Sequence, residues 1–247
     1  MPKDLFSKQS ETYAKYRPTY PLELFEYILQ FVQEKNCAWD CATGNGQAAQ
    51  VLAGYFARVE ATDISEAQLA NAVRKENINY QQSPAEQTSF AENTFDLITI
   101  ATAYHWLNWK AFAKEAKRVA KPNAVVAAWC YYDCITDDEN INQLYKKFYS
   151  IVDPYWDKER QYLEAKYQTV EFDFDPLPQK EFETTFQWHK DQFEGYLKTW
   201  SSVQNYIKAK DSSPLLLIQN ELNEKWKDGE TKTVRFPLCM RLGKVIK

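Results

Sequence analysis

Asp40, Gly44, Gly46 and Asp63 stand at spacings that suit a nucleotide-like ligand. The stretch Ala38-Trp39-Asp40-Cys41-Ala42-Thr43-Gly44-Asn45-Gly46-Gln47 is a short apolar run followed by a glycine-containing turn, and Val59-Glu60-Ala61-Thr62-Asp63 is a second apolar run that ends in an acid. Strand, turn, helix and strand in that order open a β-α-β unit whose ligand sits over the turn. Gly44 and Gly46 remove side chains where the backbone must turn tightly and a ligand must come close. A helix predicted over 45–56 begins there, so its free N–H groups and positive end face the ligand. Asp63 lies about 20 residues past the turn, the usual place for a carboxylate that accepts hydrogen bonds from a ribose diol.

Charge narrows the ligand. Asp40 precedes the turn, where a pyrophosphate would meet it unfavourably, whereas an ammonium or sulfonium would favour a nearby carboxylate. S-adenosylmethionine is therefore placed above NAD. A plain loop, with Asp63 capping a helix over 65–74, is the alternative reading of the same residues.

A second set of candidates could hold a substrate. Tyr13-x-x-Tyr16-Arg17-Pro18-Thr19-Tyr20-Pro21 gathers three phenols, a guanidinium and two prolines into nine residues, which suits a wall or lid and equally an N-terminal cap. Arg17 can clamp a carboxylate bidentately or form a surface ion pair. His105, flanked by Tyr104 and Trp106, could be a base, a donor or a packed polar ring. His189 reads as structural or exposed. Glu171, Asp173, Asp175, Glu181 and Glu183 form an acidic patch without a histidine at ligand spacing, a solvated face rather than a metal site.

The elements that must position these residues alternate. Strands are predicted at 37–41, 57–63, 78–82, 94–101 and 124–129, with helices over 45–55, 66–76 and 109–119 between them, the pattern of a mostly parallel sheet. Ligands of such sheets lie beyond the carboxyl ends of the strands. Asp40, Asp63, the Ala85-Glu86 loop, Tyr104-His105-Trp106 and Trp129 all fall there. Upstream, helices are predicted over 4–16 and 22–34. Downstream, residues 136–167 read as helical, 182–188 as a sixth strand, 191–199, 201–209 and 213–227 as helices, and 231–242 as a closing strand. The expected divisions are an N-terminal segment 1–34, an α/β core 35–135, an inserted helical cap 136–180, and a completion of the sheet with further cap helices over 181–247.

The chain of 247 residues suffices for a sizeable core. A formal net charge of -4 argues against a phosphate backbone as main partner. Five cysteines, at 37, 41, 130, 134 and 239, fit no disulfide framework and read as reduced intracellular thiols. Cys130-x3-Cys134 lacks the second close pair a zinc site needs. No apolar stretch of about 18 residues and no signal peptide is read, so the expected address is the cytoplasm, with no membrane partner.

These residues also resemble a known family. Asp40-Cys41-Ala42-Thr43-Gly44-Asn45-Gly46, Asp63, Ala85-Glu86, and Phe95-Asp96-Leu97-Ile98 leading to Ala103-Tyr104-His105-Trp106 are similar to the motifs of class I S-adenosylmethionine-dependent methyltransferases, within them the small-molecule branch that includes trans-aconitate methyltransferases. The segment 6–21 and Tyr196-Leu197-Lys198-Thr199-Trp200-Ser201 match as well. The likeness is strong over 6–130 and patchy beyond. It departs at Cys41-Ala42-Thr43 and at Gln47, where many members carry a further glycine.

The resemblance implies an α/β, Rossmann-like seven-stranded sheet with its last strand antiparallel, flanked by helices and carrying a helical cap. It implies S-adenosylmethionine over Gly44 and Gly46, contacted also by Asp40, Ala42, Thr43, Gln47, Asp63, Ile64, Ala85, Glu86, Ala103 and Tyr104. Tyr13, Tyr16, Arg17, Tyr20, His105, Trp106 and Trp129 are the expected contacts to a small-molecule acceptor. The expected reaction is O-methylation of a carboxylate, achieved by positioning without a catalytic acid or base and without a metal. Methylation of a small amine, or a binding protein that keeps the fold, are the alternatives.

Overall fold

Phe95-Asp96-Leu97-Ile98-Thr99-Ile100-Ala101 carries apolar residues at both parities, which suits a strand covered on both faces. In the computed structural model, which describes residues 15–247, this run is the central strand β4 (Phe95–Ala101). With β1 (Cys37–Cys41), β2 (Arg58–Asp63), β3 (Ile78–Gln82) and β5 (Ala120–Tyr131) it forms a parallel array in the order β3-β2-β1-β4-β5. The chain moves outward from β1 to β3 and returns on the other side as β4, so the switch in strand order lies between β1 and β4.

The last strand, β9 (Lys232–Lys244), runs antiparallel to β5, from Val125↔Lys244 to Tyr131↔Leu238. The strand β8 (Phe182–Trp188) is antiparallel to β9 and also meets Leu238, so it occupies the opposite edge. Two short strands, β6 (Ile135–Thr136) and β7 (Asp175–Pro176), extend the tracks of β5 and β8 along β9. Nine strands thus fill seven positions, β3-β2-β1-β4-β5-β9-β8, with β9 the antiparallel member.

Alternate residues of each strand feed opposite cores, as the pleat requires. Leu97, Val125, Ala127 and Trp129 enter one cluster, and Ile98, Ile100, Val126 and Ala128 the other. Helix α1 (Leu22–Leu29) covers the first with Leu24, Phe25, Ile28 and Leu29, a single apolar stripe. Next come α2 (Gln47–Leu52), α3 (Glu66–Ala70) and α4 (Trp109–Val119). Helix α4 covers the second cluster with Phe112, Ala113, Ala116 and Val119. It starts at Asn108, whose Oδ1 accepts from Ala111 N at 3.2 Å, and ends in Lys117 and Arg118, which suit its negative end.

Several elements are shorter than their sequence patterns suggest. Helix α3 stops at Ala70, where the backbone tightens to i→i+3 bonds (Asn71 N to Gln68 O at 3.1 Å, Ala72 N to Leu69 O at 3.2 Å) and side chains join in: Asn71 donates to Ala67 O at 3.0 Å and Arg74 to Leu69 O at 3.2 Å. The predicted run over 136–167 divides into α5 (Glu139–Val152), a 3-10 turn (Asp153–Tyr155) and α6 (Arg160–Glu164), because Pro154 lacks the N–H that would continue the ladder. Helices α7 (Lys190–Lys198) and α8 (Ser201–Lys210) follow β8, and Pro214 opens a 3-10 turn before α9 (Gln219–Lys225). Of the helix predicted over 4–16, only residues 15 and 16 are described, and they are helical.

Candidate active site

The turn after β1 places Ala42 (φ 53°), Gly44 (φ 57°) and Gly46 (φ 83°) in the left-handed region. Thr43 N–H donates to Thr62 O at 2.8 Å, tying the turn to β2. Asp40 braces it from beneath. Its carboxylate accepts from Thr43 Oγ1, from Ala49 N at 3.0 Å and from Thr99 Oγ1 at 2.8 Å, and it is 1% exposed. Burial pushes its carboxyl up to about 6, against the pull of those donors. Asp40 is therefore placed as a support of the turn and not on the cavity wall, a correction to the role read from its charge. Gly46 is likewise behind the wall: a Cβ there would fall on Tyr80 Oη, with Tyr80 Cζ at 3.0 Å.

Asp63 ends β2 at the cavity itself. Its Oδ2 accepts from Gly44 N and its Oδ1 from Ser65 N, each at 2.8 Å. The cavity encloses about 1090 Å³, its open mouth included. Ala42, Thr43, Gly44, Gln47, Asp63 and Ile64 form one side, Ala85 and Glu86 another, and Ala103 follows the carboxyl end of β4. Arg17, Tyr20 and Trp106 close over it with Tyr131 from the end of β5.

A second cavity of about 540 Å³ shares Arg17, Thr102, Trp106 and Tyr131 with the first, so the two are contiguous. His105, Trp156, Asp157, Arg160, Tyr196 and Trp200 line it as well. Arg17 is held at the junction by Tyr131 Oη and by Thr199 O, the latter at 3.1 Å. Arg160 lies over the Trp156 ring at 4.8 Å, with Nε 3.3 Å from Tyr149 Oη and 3.6 Å from Glu164 Oε1. His105 shares the lining of this cavity with both cations. Burial first, then Arg160 and Arg17, lower its pKa to about 3, so the imidazole is neutral and its surroundings are electropositive.

Other residues singled out in the sequence lie away from both cavities. Tyr104 is fully buried and donates to Glu171 O at 2.7 Å. Trp129 is fully buried too, and supports Tyr20 edge to face at 5.5 Å, while Tyr20 Oη lies 2.9 Å from Thr102 Oγ1. The Tyr16 ring packs on Gly195 of α7, where a Cβ would come within 2.5 Å of it. Tyr13 lies outside the described residues. Sequence reasoning missed Thr102 and Tyr131, although both stand at strand ends where the parallel-sheet rule directs attention. It also missed Arg160 and Trp156, which no strand-end signal marks. Among the described residues no group of three His, Cys, Asp or Glu side chains could hold a metal ion.

The donor set fits an adenosyl sulfonium ligand. Asp63 is suited to a ribose diol, the acids Asp63 and Glu86 share the cavity wall with Arg17, and Gly44 leaves the turn bare, the nearest atom to a Cβ there being Gln68 Oε1 at 3.9 Å. A parallel sheet with one antiparallel strand, a ligand turn after β1 and an acid at the end of β2 match the arrangement that the resemblance to class I methyltransferases implies. The methyltransferase domain profile matches residues 39–128. The whole chain is 33% identical to a "Putative methyltransferase" of Dictyostelium discoideum over 98% of this chain and 95% of that one. It is 24% identical to a "Probable S-adenosylmethionine-dependent methyltransferase" of Saccharomyces cerevisiae, covering 87% of each. The solved structure of a "Putative Type II Methyltransferase" from Anaeromyxobacter dehalogenans superposes with a TM-score of 0.85 at 34% identity, over 94% of this chain and 99% of that one. The chain belongs to the S-adenosylmethionine-dependent methyltransferases.

Proposed function

We propose that the enzyme methylates a carboxylate oxygen of a small molecule held in the second cavity, in keeping with the resemblance to the trans-aconitate methyltransferase branch. The observation that carries this reading is the pairing of Arg17 and Arg160 on one cavity wall around a neutral His105. Bound S-adenosylmethionine supplies an electrophilic methyl group on its sulfonium. A carboxylate is already ionised at neutral pH and needs no base to become the nucleophile. The chain's task is then alignment: Arg17, fixed at the junction of the two cavities, turns the acceptor toward the first. Trp106, Trp156 and Trp200 supply apolar surface that excludes water around it.

Asp157 on the same wall favours a second reading, methylation of a small amine. Transfer of labelled methyl groups to panels of small carboxylic acids and small amines separates the two. An alkali-labile methyl product supports the ester, and alkali-stable products alone refute it. A small molecule suits a cavity of this size better than nucleic acid or membrane does, and the net charge of -4 supports that choice. Among the described residues no helix is long and apolar enough to cross a membrane. The five cysteines are free and buried, which suits the cytoplasm as the working compartment.

A further inference from the structure

Tyr167 lies outside the wall of either cavity, yet its phenol oxygen is 2.9 Å from His105 Nδ1. The backbone is distorted where it delivers that ring. Lys166 (φ 50°) and Tyr167 (φ 56°) are consecutive left-handed residues, and neither is glycine. Such residues persist only where the surroundings over-determine them, and they cluster at functional sites. Tyr167 N–H donates to Tyr162 O at 2.8 Å, Arg241 Nη1 donates to Tyr167 O at 3.1 Å, and the side chain is fully buried. Burial, then the thiols of Cys130 and Cys239, push its phenol well above the usual range, so it keeps its proton.

A neutral imidazole has one N–H, and the partner of one ring nitrogen decides which nitrogen carries it. Nε2 of His105 makes no hydrogen bond among the described residues, so Nδ1 is the nitrogen whose partner sets the tautomer. The phenol has a single proton to give. An imidazole nitrogen accepts it better than the weakly accepting sulfur of the neighbouring Cys130.

We propose that Tyr167 is a positioning residue: by donating its hydroxyl proton to Nδ1 it fixes His105 as the Nε2–H tautomer, so the ring offers the acceptor cavity a donor rather than a base. With Arg17 and Arg160, His105 then completes a set of donors around an oxyanion, with Asp157 the acidic exception on that wall. An acceptor that must lose a proton would find no base in this ring. That consequence rests on the carboxylate reading, whereas the tautomer does not.

The test is a long-range proton–nitrogen correlation spectrum of the full-length, nitrogen-labelled protein. The chain has two histidines, so His189→Gln leaves His105 as the only imidazole. Between pH 5 and 8 the expected spectrum has Nε2 protonated and Nδ1 bare, with a coupling through the hydrogen bond from the phenolic proton to Nδ1. Tyr167→Phe is expected to shift the tautomer ratio about fivefold toward Nδ1–H, the equivalent of one ordinary hydrogen bond. A protonated Nδ1 in the parent overturns the proposal, and so does a Tyr167→Phe spectrum unchanged from it. Should that variant not fold, the parent's coupling still identifies the donor. None of these spectra needs an acceptor, so a failed carboxylate screen leaves this result standing.

Discussion

Replacing Gly44 and Gly46 by alanine, one at a time, separates the wall of the cofactor site from the turn that supports it. Both glycines have left-handed φ angles, 57° and 83°, so each alanine costs about 1–2 kcal/mol in backbone conformation. Their surroundings differ. At Gly44 the added methyl meets nothing nearer than Gln68 Oε1 at 3.9 Å, an ordinary contact, but it stands on the cavity wall. At Gly46 it falls on Tyr80 Oη, with Tyr80 Cζ at 3.0 Å and Cε1 at 3.1 Å. Overpacking of that kind adds about 1–3 kcal/mol. Gly46→Ala is therefore expected to lose about 2–5 kcal/mol from a total stability of about 5–15.

Urea unfolding followed by tryptophan fluorescence measures the loss, and titration with S-adenosylhomocysteine measures cofactor-site affinity. Gly46→Ala should fall mainly in stability and Gly44→Ala mainly in affinity. Tyr80→Phe removes the clashing oxygen, and alone it forfeits the 3.0 Å bond to Val73 O, about 1 kcal/mol. Combined with Gly46→Ala it should recover about 1–2 kcal/mol relative to the sum of the single variants. The backbone part should remain, because no change in Tyr80 alters φ at residue 46. Strict additivity of the pair, or a Gly46→Ala protein as stable as the parent, refutes the steric account. Unchanged affinity in Gly44→Ala refutes its place on the wall.

Asp63→Ala should weaken S-adenosylhomocysteine binding by about 10–100-fold, as loss of a charged hydrogen-bonding partner implies; calorimetry showing parental affinity would end the ribose assignment. Asp40→Asn tests the buried carboxyl through pH. Because its folded pKa of about 6 lies above the ordinary 3.8, the stabilisation its proton gives is complete below 3.8 and lost as pH rises through about 6. On acidification from pH 7 to 5 the parent should gain about 1 kcal/mol on the asparagine variant, which lacks that proton equilibrium, and parallel stability profiles would contradict the shift. Arg160→Gln should raise KM for a carboxylic acid acceptor about 10–100-fold while leaving S-adenosylhomocysteine affinity nearly unchanged, since Arg160 lines only the second cavity; an equal loss of both would place it elsewhere in the mechanism.

The sheet could be read from the sequence because its signals are local. The two-sided apolar run of β4, the glycine turn after β1 and the acid ending β2 each depend on a few adjacent residues, and the strand-end rule then gathers Asp63, Ala85-Glu86 and Ala103 around one cavity. The second cavity is assembled from segments far apart in the chain. Arg17 comes from the N-terminal segment, Arg160 from α6, and Tyr196 and Trp200 from the region around α7 and α8. Their meeting depends on the Pro154 break and on how the helices pack, and neither leaves a periodicity that names a wall residue. Tyr167 is further removed still, since the left-handed backbone that delivers it arises in a segment with no glycine to announce it.

Asp40 shows where a legible residue was assigned the wrong direction, and strand parity explains why. Successive residues of β1 alternate between cores: Cys37, Trp39 and Cys41 enter the cluster under α4, while Ala38 enters the one that holds Ala48 and Ala49 of α2. Asp40 shares the parity of Ala38, so its side chain leaves the sheet beneath the first turn of α2, where Ala49 N–H donates to its carboxylate. Proximity in sequence to the ligand turn suggested a carboxylate facing a cation. Parity directs it instead to the backbone that shapes the turn, and there its charge is a liability, partly relieved by three hydrogen bonds. Asp63 escapes that fate because it is the last residue of β2, where the strand opens onto the cavity and its two backbone donors orient the carboxylate along the wall. Two acids of similar sequence setting thus divide the work: one holds the shape of the turn, and the other lines the cavity over it.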